Sequence, residues 1–150
     1  MRLVQAGEAT KLAGISAHQL REWCGRRGIL KPDVEGKGPG RHALYSWETL
    51  IVLRILRDLR HQYRIQLSQW TVFASSFRRE LDELSFLQLW GAKLKVSDSK
   101  TVRIVLKGET DDSSSGLFVD LDPHLQVLSQ GLSLPGPSDQ LPLFAAVRHA

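Results

Sequence analysis

The sequence predicts a chain built in two regimes: a mostly helical N-terminal part, then a small α+β C-terminal region with an antiparallel sheet. Three observations predict this. Apolar residues recur at helical spacing as far as residue 84, and give way to short extended stretches beyond it. Glycine and serine fall at positions that stop one helix and start the next. Positive charge is confined to one side. Residues 1–64 hold twelve Lys/Arg against six Asp/Glu, net +6, whereas residues 65–150 hold eight against ten, net −2.

Each element follows in order. Residues 7–13 read as a short helix stopped by Gly14, because glycine enters a left-handed turn cheaply. Ile15 is an apolar plug, and Ser16 a good N-cap for a second helix over 17–27, with Leu20, Trp23 and Cys24 on one face. Gly28 ends that helix. Helix, tight glycine turn and helix make a helix-turn-helix pattern. The run Gly36-Lys37-Gly38-Pro39-Gly40 cannot be helical and is a loop tip, and residues 41–45 return from it as a short strand. Ser46 caps a helix over 47–61 whose apolar set is Leu50, Leu53, Ile55, Leu56 and Leu59. Tyr63-Arg64-Ile65 breaks it. A further helix over 67–84 carries Leu67, Trp70, Ala74, Phe77, Leu81 and Leu84 at alternating spacings of three and four, a heptad seam.

Beyond residue 85, strands are expected at 86–90, 93–96, 101–106 and 117–121, with a polar loop at 109–116. Asp122-Pro123 opens a last helix, the aspartate as its cap and the proline in its first turn, and Gly131 closes it. These elements divide the chain into a head over 1–65, a connecting helix over 66–84, a strand-rich domain over 85–132 and a mobile Pro-containing tail over 133–150.

Composition excludes several classes. Apolar residues at 42% and charged residues at 24% suit a packed globular protein. The lone Cys24 can form neither an internal disulfide nor a cysteine-cluster metal site. The sequence shows neither a signal peptide nor a stretch approaching the ~20 apolar residues of a membrane span. No nucleophile elbow, spaced carboxylate pair or His/Cys set suggests an enzyme, a metal or a cofactor. A one-sided basic field suits a polyanion, of which nucleic acid is the commonest.

Two motifs carry a resemblance. Ile15-Ser16-Ala17-His18-Gln19-Leu20-Arg21-Glu22-Trp23 with Arg27-Gly28-Ile29-Leu30, followed by Gly40-Arg41-His42-Ala43-Leu44-Tyr45-Ser46 and an apolar helix, resembles the MerR-type transcriptional regulators over residues 3–70. The resemblance implies a winged helix-turn-helix on double-stranded DNA, with the loop at 36–45 as the wing. It implies that Arg21 and the aromatic Trp23 lie at the DNA surface, and that the helix after the head pairs with its twin in an antiparallel dimer. The sequence departs from the family pattern at Leu44, where an arginine is usual, and at Trp23, where a tyrosine is usual. The C-terminal half does not resemble a known drug- or metal-sensing module.

Candidate DNA contacts follow. Residues near the N-terminus of the second helix reach base edges. Here these are His18 and Gln19, with Ser16 at the cap; Gln19 could bond two edge atoms of adenine. An ordinary solvated face explains His18 and Gln19 equally, and Trp23 also suits a core position. Arg27, with Arg26, suits the negative end of the helix and can touch phosphate. Lys37, Arg41, His42 and Tyr45 belong to the wing. Arg54, Arg57, Arg60 and Arg64 share one helical face, either a solvated surface or a phosphate-tracking stripe. The seam from Leu67 to Leu84 either makes the dimer or packs internally. Cys24 faces the apolar side and reads as an inert thiol, and His124 as a solvent-facing residue.

The expected function is a cytoplasmic, nucleoid-associated homodimeric regulator binding specific double-stranded DNA. RNA polymerase and a small effector are further partners of such a role, with no residue assigned to either. A second reading makes it an architectural or excisionase-like accessory factor, or a DNA-binding antitoxin whose C-terminal part grips a protein. A third abandons DNA for a protein adaptor; a head whose Arg21 and Arg41 point apart, or are consumed by internal ion pairs, would favour it.

Overall fold

A computed structural model describes residues 2–64, 70–98, 101–111 and 115–140. The chain divides into two compact units, residues 1–75 and 76–150.

The first unit begins with β1 (Val4–Gln5), which enters α1 (Ala6–Ala13). Gly14 ends α1 with φ +69°, its N–H donating to the Thr10 carbonyl at 2.9 Å. This is the left-handed stop expected of glycine there. A side chain at position 14 would also collide with the Arg57 guanidinium. Ile15 is buried, and Ser16 caps α2 (Ala17–Arg21). The expected single helix over 17–27 is two pieces: Glu22–Arg26 widens into a π-turn, closed by Arg27 N–H donating to the Glu22 carbonyl at 2.7 Å. Gly25, a weak helix former, lies within it.

The returning strand is shorter than expected. β2 (Leu44–Tyr45) pairs antiparallel with β1, Val4 facing Tyr45, and a bridge between Val34 and Leu44 closes the loop between them. Ser46 then caps α3 (Trp47–Gln62) by accepting from Thr49 N–H. Every residue of α3 from Trp47 to Leu56 is buried, Glu48 and Arg54 included, where the sequence suggested one apolar face. α1 packs against both α2 and α3.

α4 (Trp70–Asp82) crosses from one unit into the next. In the second unit, β3 (Lys93–Val96), β4 (Val102–Val105) and β5 (Leu117–Asp120) form an antiparallel sheet in the order β4-β3-β5. Leu94 faces Ile104 on one side and Val119 on the other. Leu94, Val96, Val102 and Ile104 join Leu121, Leu125, Leu128 and Leu132 in the buried set. Those last leucines include the apolar face of α5 (Asp122–Leu132). The Glu80 carboxylate of α4 accepts from Ile104 N–H at 2.8 Å. On the face opposite Leu94, Lys95 is buried at 3% exposure, and its ammonium pairs with Asp111 at 2.9 Å.

Four expectations are corrected here. Residues 86–90 are not a strand; Leu87–Leu89 is a 3₁₀ turn between buried Phe86 and Trp90. Asp122 does not cap α5; its carboxylate accepts from Gly91 N–H at 2.8 Å. α5 runs through Gly131 and stops at Ser133, which takes the left-handed conformation. His124 is buried at 5% exposure rather than solvated. The first part of the expected mobile tail is also held in place. Trp90 Nε1 donates to the Pro135 carbonyl, and Gln140 Nε2 to the carbonyls of Leu87 and Trp90. Residues 141–150 lie outside the described residues.

Candidate nucleic-acid interface

The candidate interface is built on α2. Ser16 Oγ accepts from Gln19 N–H and Gln19 Oε1 accepts from Ser16 N–H, both at 3.0 Å, a reciprocal cap. The Ser-x-x-Gln spacing carried this signal in the sequence. It changes the role expected of Gln19. Its carbonyl oxygen already serves the cap, so a two-point contact with adenine would have to share that oxygen. His18 and Arg21 are exposed.

On one flank of α2 lies a cleft of about 740 Å³. Its walls are Ala6, Gly7 and Thr10 of α1, Ala17, Leu20 and Arg21 of α2, and Lys31, Gly36 and Lys37 of the loop before β2. The loop is pinched at its base. A Cβ on Gly36 would lie 2.7 Å from Ala43 N and 2.9 Å from the Arg41 carbonyl oxygen, so only glycine allows the two strands of the loop to approach. Its far end is exposed: Arg41 and His42 face solvent, and Lys37 is 80% exposed while pairing with Glu35 at 3.3 Å. The root is tied to α3 by Asp33, whose carboxylate accepts from Ser46 N–H at 2.7 Å and from the hydroxyls of Ser46 and Thr49, both at 2.8 Å. No spacing in the sequence announced that node, which joins residues thirteen and sixteen apart.

On the other flank, His18, Gln19, Glu22, Trp23, Arg27 and Arg60 line a smaller cleft of about 290 Å³. Arg21, Arg41 and Arg60 make no ion pair among the described residues, so the internal pairing that would favour an adaptor is not found at Arg21 or Arg41 there.

Several sequence expectations change. Trp23 is 2% exposed and Tyr45 5%, so both belong to the core of the first unit rather than to its surface. The arginine face of α3 is neither a solvated surface nor one stripe. Arg54 is buried and donates to the Leu12 carbonyl at 2.6 Å, while Arg57 reaches the Ala13 and Gly14 carbonyls and pairs with Asp58. These two guanidiniums satisfy the carbonyls at the end of α1, which no helical bond reaches. Burial and the neighbouring Arg57 lower the pKa of Arg54, partly opposed by Asp58. Arg60 and Arg64 remain exposed. The seam of α4 is closed: Trp70, Ala74, Phe77, Leu81 and Leu84 are all 0–6% exposed within one chain, and Leu67 lies outside the described residues. The internal alternative for that face therefore replaces the dimer face. Cys24 is buried. Burial first, and then the Asp33 carboxylate, push its pKa up to about 12, and burial raises that of Tyr45. A thiol held protonated is inert, as expected.

Two short helices about a left-handed glycine turn, the second reciprocally capped and flanked by exposed cations, form a helix-turn-helix. Residues 4–69 match the family model described as MerR HTH family regulatory protein. Over that span, 66 of the 150 residues, the chain is similar to the MerR-type helix-turn-helix regulators. No curated protein matches the sequence. No helix among the described residues is long and apolar enough to cross a membrane, and no group of three or more His, Cys, Asp or Glu among them could hold a metal.

Proposed function

We propose that the protein is a sequence-specific regulator that reads double-stranded DNA with α2 in the major groove and the loop at 35–43 as a wing on the flanking backbone. The observation that carries the reading is the cleft bounded by Arg21 on one side and Lys37 on the other, with Arg41 and His42 exposed on the same loop. A sugar–phosphate strand lying between a helix in one groove and a loop on the next would meet cations on both walls. Arg21 is the residue placed to reach a guanine edge or a phosphate. His18 is the second base-edge candidate, and Arg27 a backbone contact. Ser16 acts by holding the start of α2 in shape.

Two copies on an inverted repeat complete the reading, since paired half-sites turn weak single contacts into one specific complex. Such a homodimer uses a surface other than the closed seam of α4. The protein then works in the cytoplasm, where its DNA lies.

The test is retention of fragments from a random genomic pool at two salt concentrations, followed by sequencing. One enriched inverted repeat, with affinity falling steeply with salt, supports the regulator. Retention without a motif points instead to an architectural factor. No retention at low salt overturns DNA binding.

A further inference from the structure

The smaller cleft has a chemistry that α2 alone does not explain. Arg60 comes from near the end of α3, His18 from the start of α2 and Arg27 from just beyond the π-turn, yet all three line one depression. Trp23, almost wholly buried, supplies an apolar wall. Arg60 and His18 have no ion pair among the described residues. Arg27 does: its Nε lies 3.5 Å from Glu22 Oε2, while Arg26 Nη1 lies 3.4 Å from Glu22 Oε1. The Glu22 side chain is 21% exposed, and Arg27 54%. One acid therefore holds two cations at the exit of the helix that enters DNA.

We propose that this cleft receives one phosphate of the DNA backbone, held by Arg60 and Arg27, and that Glu22 competes with that phosphate for Arg27. The inference rests on the DNA-binding reading and gives it a second backbone contact, on the flank of α2 away from the loop. Arg27 exchanges the Glu22 carboxylate for phosphate when DNA arrives, and the displaced acid then faces a polyanion. Glu22 thereby lowers affinity for every DNA sequence equally, because a phosphate carries no base identity. Weak sequence-independent binding leaves discrimination to contacts with bases. Glu22 thus sets how tightly the head holds any duplex and leaves the ratio between sequences to the base contacts.

The experiment measures equilibrium binding of the full chain to its selected site and to an unrelated duplex, across salt concentrations. The proteins are wild type, Arg60→Gln, Glu22→Gln and Arg21→Ala, with thermal melts confirming that each is folded. Arg60→Gln should weaken both duplexes by a similar factor, roughly three- to tenfold, and reduce the salt slope by about one. Glu22→Gln should tighten both by a similar factor. If wild type binds and Arg21→Ala loses the site, while Arg60→Gln and Glu22→Gln leave affinity and slope unchanged, the phosphate cleft is overturned and the DNA reading stands. If Glu22→Gln weakens binding, the acid is a support rather than a competitor, and the proposal fails. If wild type binds no duplex, both readings fall together.

Discussion

The two units of this chain differ in how deeply their paired cations lie: Lys95 and Asp111 of the second are 4% and 7% exposed, whereas every paired side chain of the first, among the described residues, is at least 18% exposed. In the first, Arg21, Arg41 and Arg60 face solvent without an ion pair among the described residues. In the second, Lys95 is buried against Asp111, its stem lies beside Gly116, and Arg103 and Arg78 sit beside Glu109 and Asp82. The contrast separates charge that holds a fold together from charge that waits for a partner. Composition gives only the net difference. The pairing gives its meaning, because a cation already matched inside the protein offers little to a phosphate.

Removing charges from the two units should produce opposite phenotypes. Lys95→Ala leaves Asp111 buried without its cation and should cost about 3–5 kcal/mol of stability. Lys95→Met combined with Asp111→Leu should recover most of that in a denaturant melt, since an apolar pair replaces a buried ion pair with little loss. If the single variant melts like wild type, the pair is not holding the sheet face. Arg21→Ala should leave the melt unchanged and weaken binding to a selected DNA site by about 1–3 kcal/mol, which is roughly ten- to a hundredfold.

The contrast also runs along one helix. Arg54→Ala removes the donor to the Leu12 carbonyl and should destabilise by about 1–3 kcal/mol, whereas Arg60→Ala, two turns on, should stay within about 0.5 kcal/mol. Equal losses at both positions would erase the division of α3 into an inner and an outer arginine. Ser16→Ala should cost about 1 kcal/mol through the lost cap, with DNA affinity falling alongside. The smallest effect at neutral pH belongs to Cys24. Its folded pKa of about 12 stands above the thiol's ordinary value of 9.0, so the unfolded chain gives up the proton first. Stability is therefore whole below pH 9 and falls as pH rises toward 12. Tyr45, also raised, adds to the fall. Cys24→Ala should flatten part of that decline in melts at pH 8 and pH 10.5, with no difference between the proteins at pH 7.

What was legible in the sequence was local. Gly14 before Ser16 gave the turn and the cap, because both act through bonds spanning only a few residues. The strands at 93–96, 101–106 and 117–121 were placed closely by alternation and flanking turns. The misses depended on distant parts of the chain. Arg54 looked like surface because its partner, the Leu12 carbonyl, lies 42 residues away. Trp23 looked like a possible contact because its burial depends on tertiary neighbours. The heptad spacing of α4 was real, but spacing does not say what covers a seam. The candidate site divided likewise. Arg21, Lys37, Arg41 and His42 are proposed from motif and loop composition, while the cleft joining Arg60 to His18 needed α3 folded beside α2.

The bond from Ile104 N–H to Glu80 bears on how this protein behaves when concentrated. β4 lies at the end of the sheet order, where an open amide would invite a strand from another molecule. Glu80 occupies that donor with a charged group from α4 and takes the place of a strand. The carboxylate thus closes one donor on the β4 edge of the sheet to a strand from another molecule.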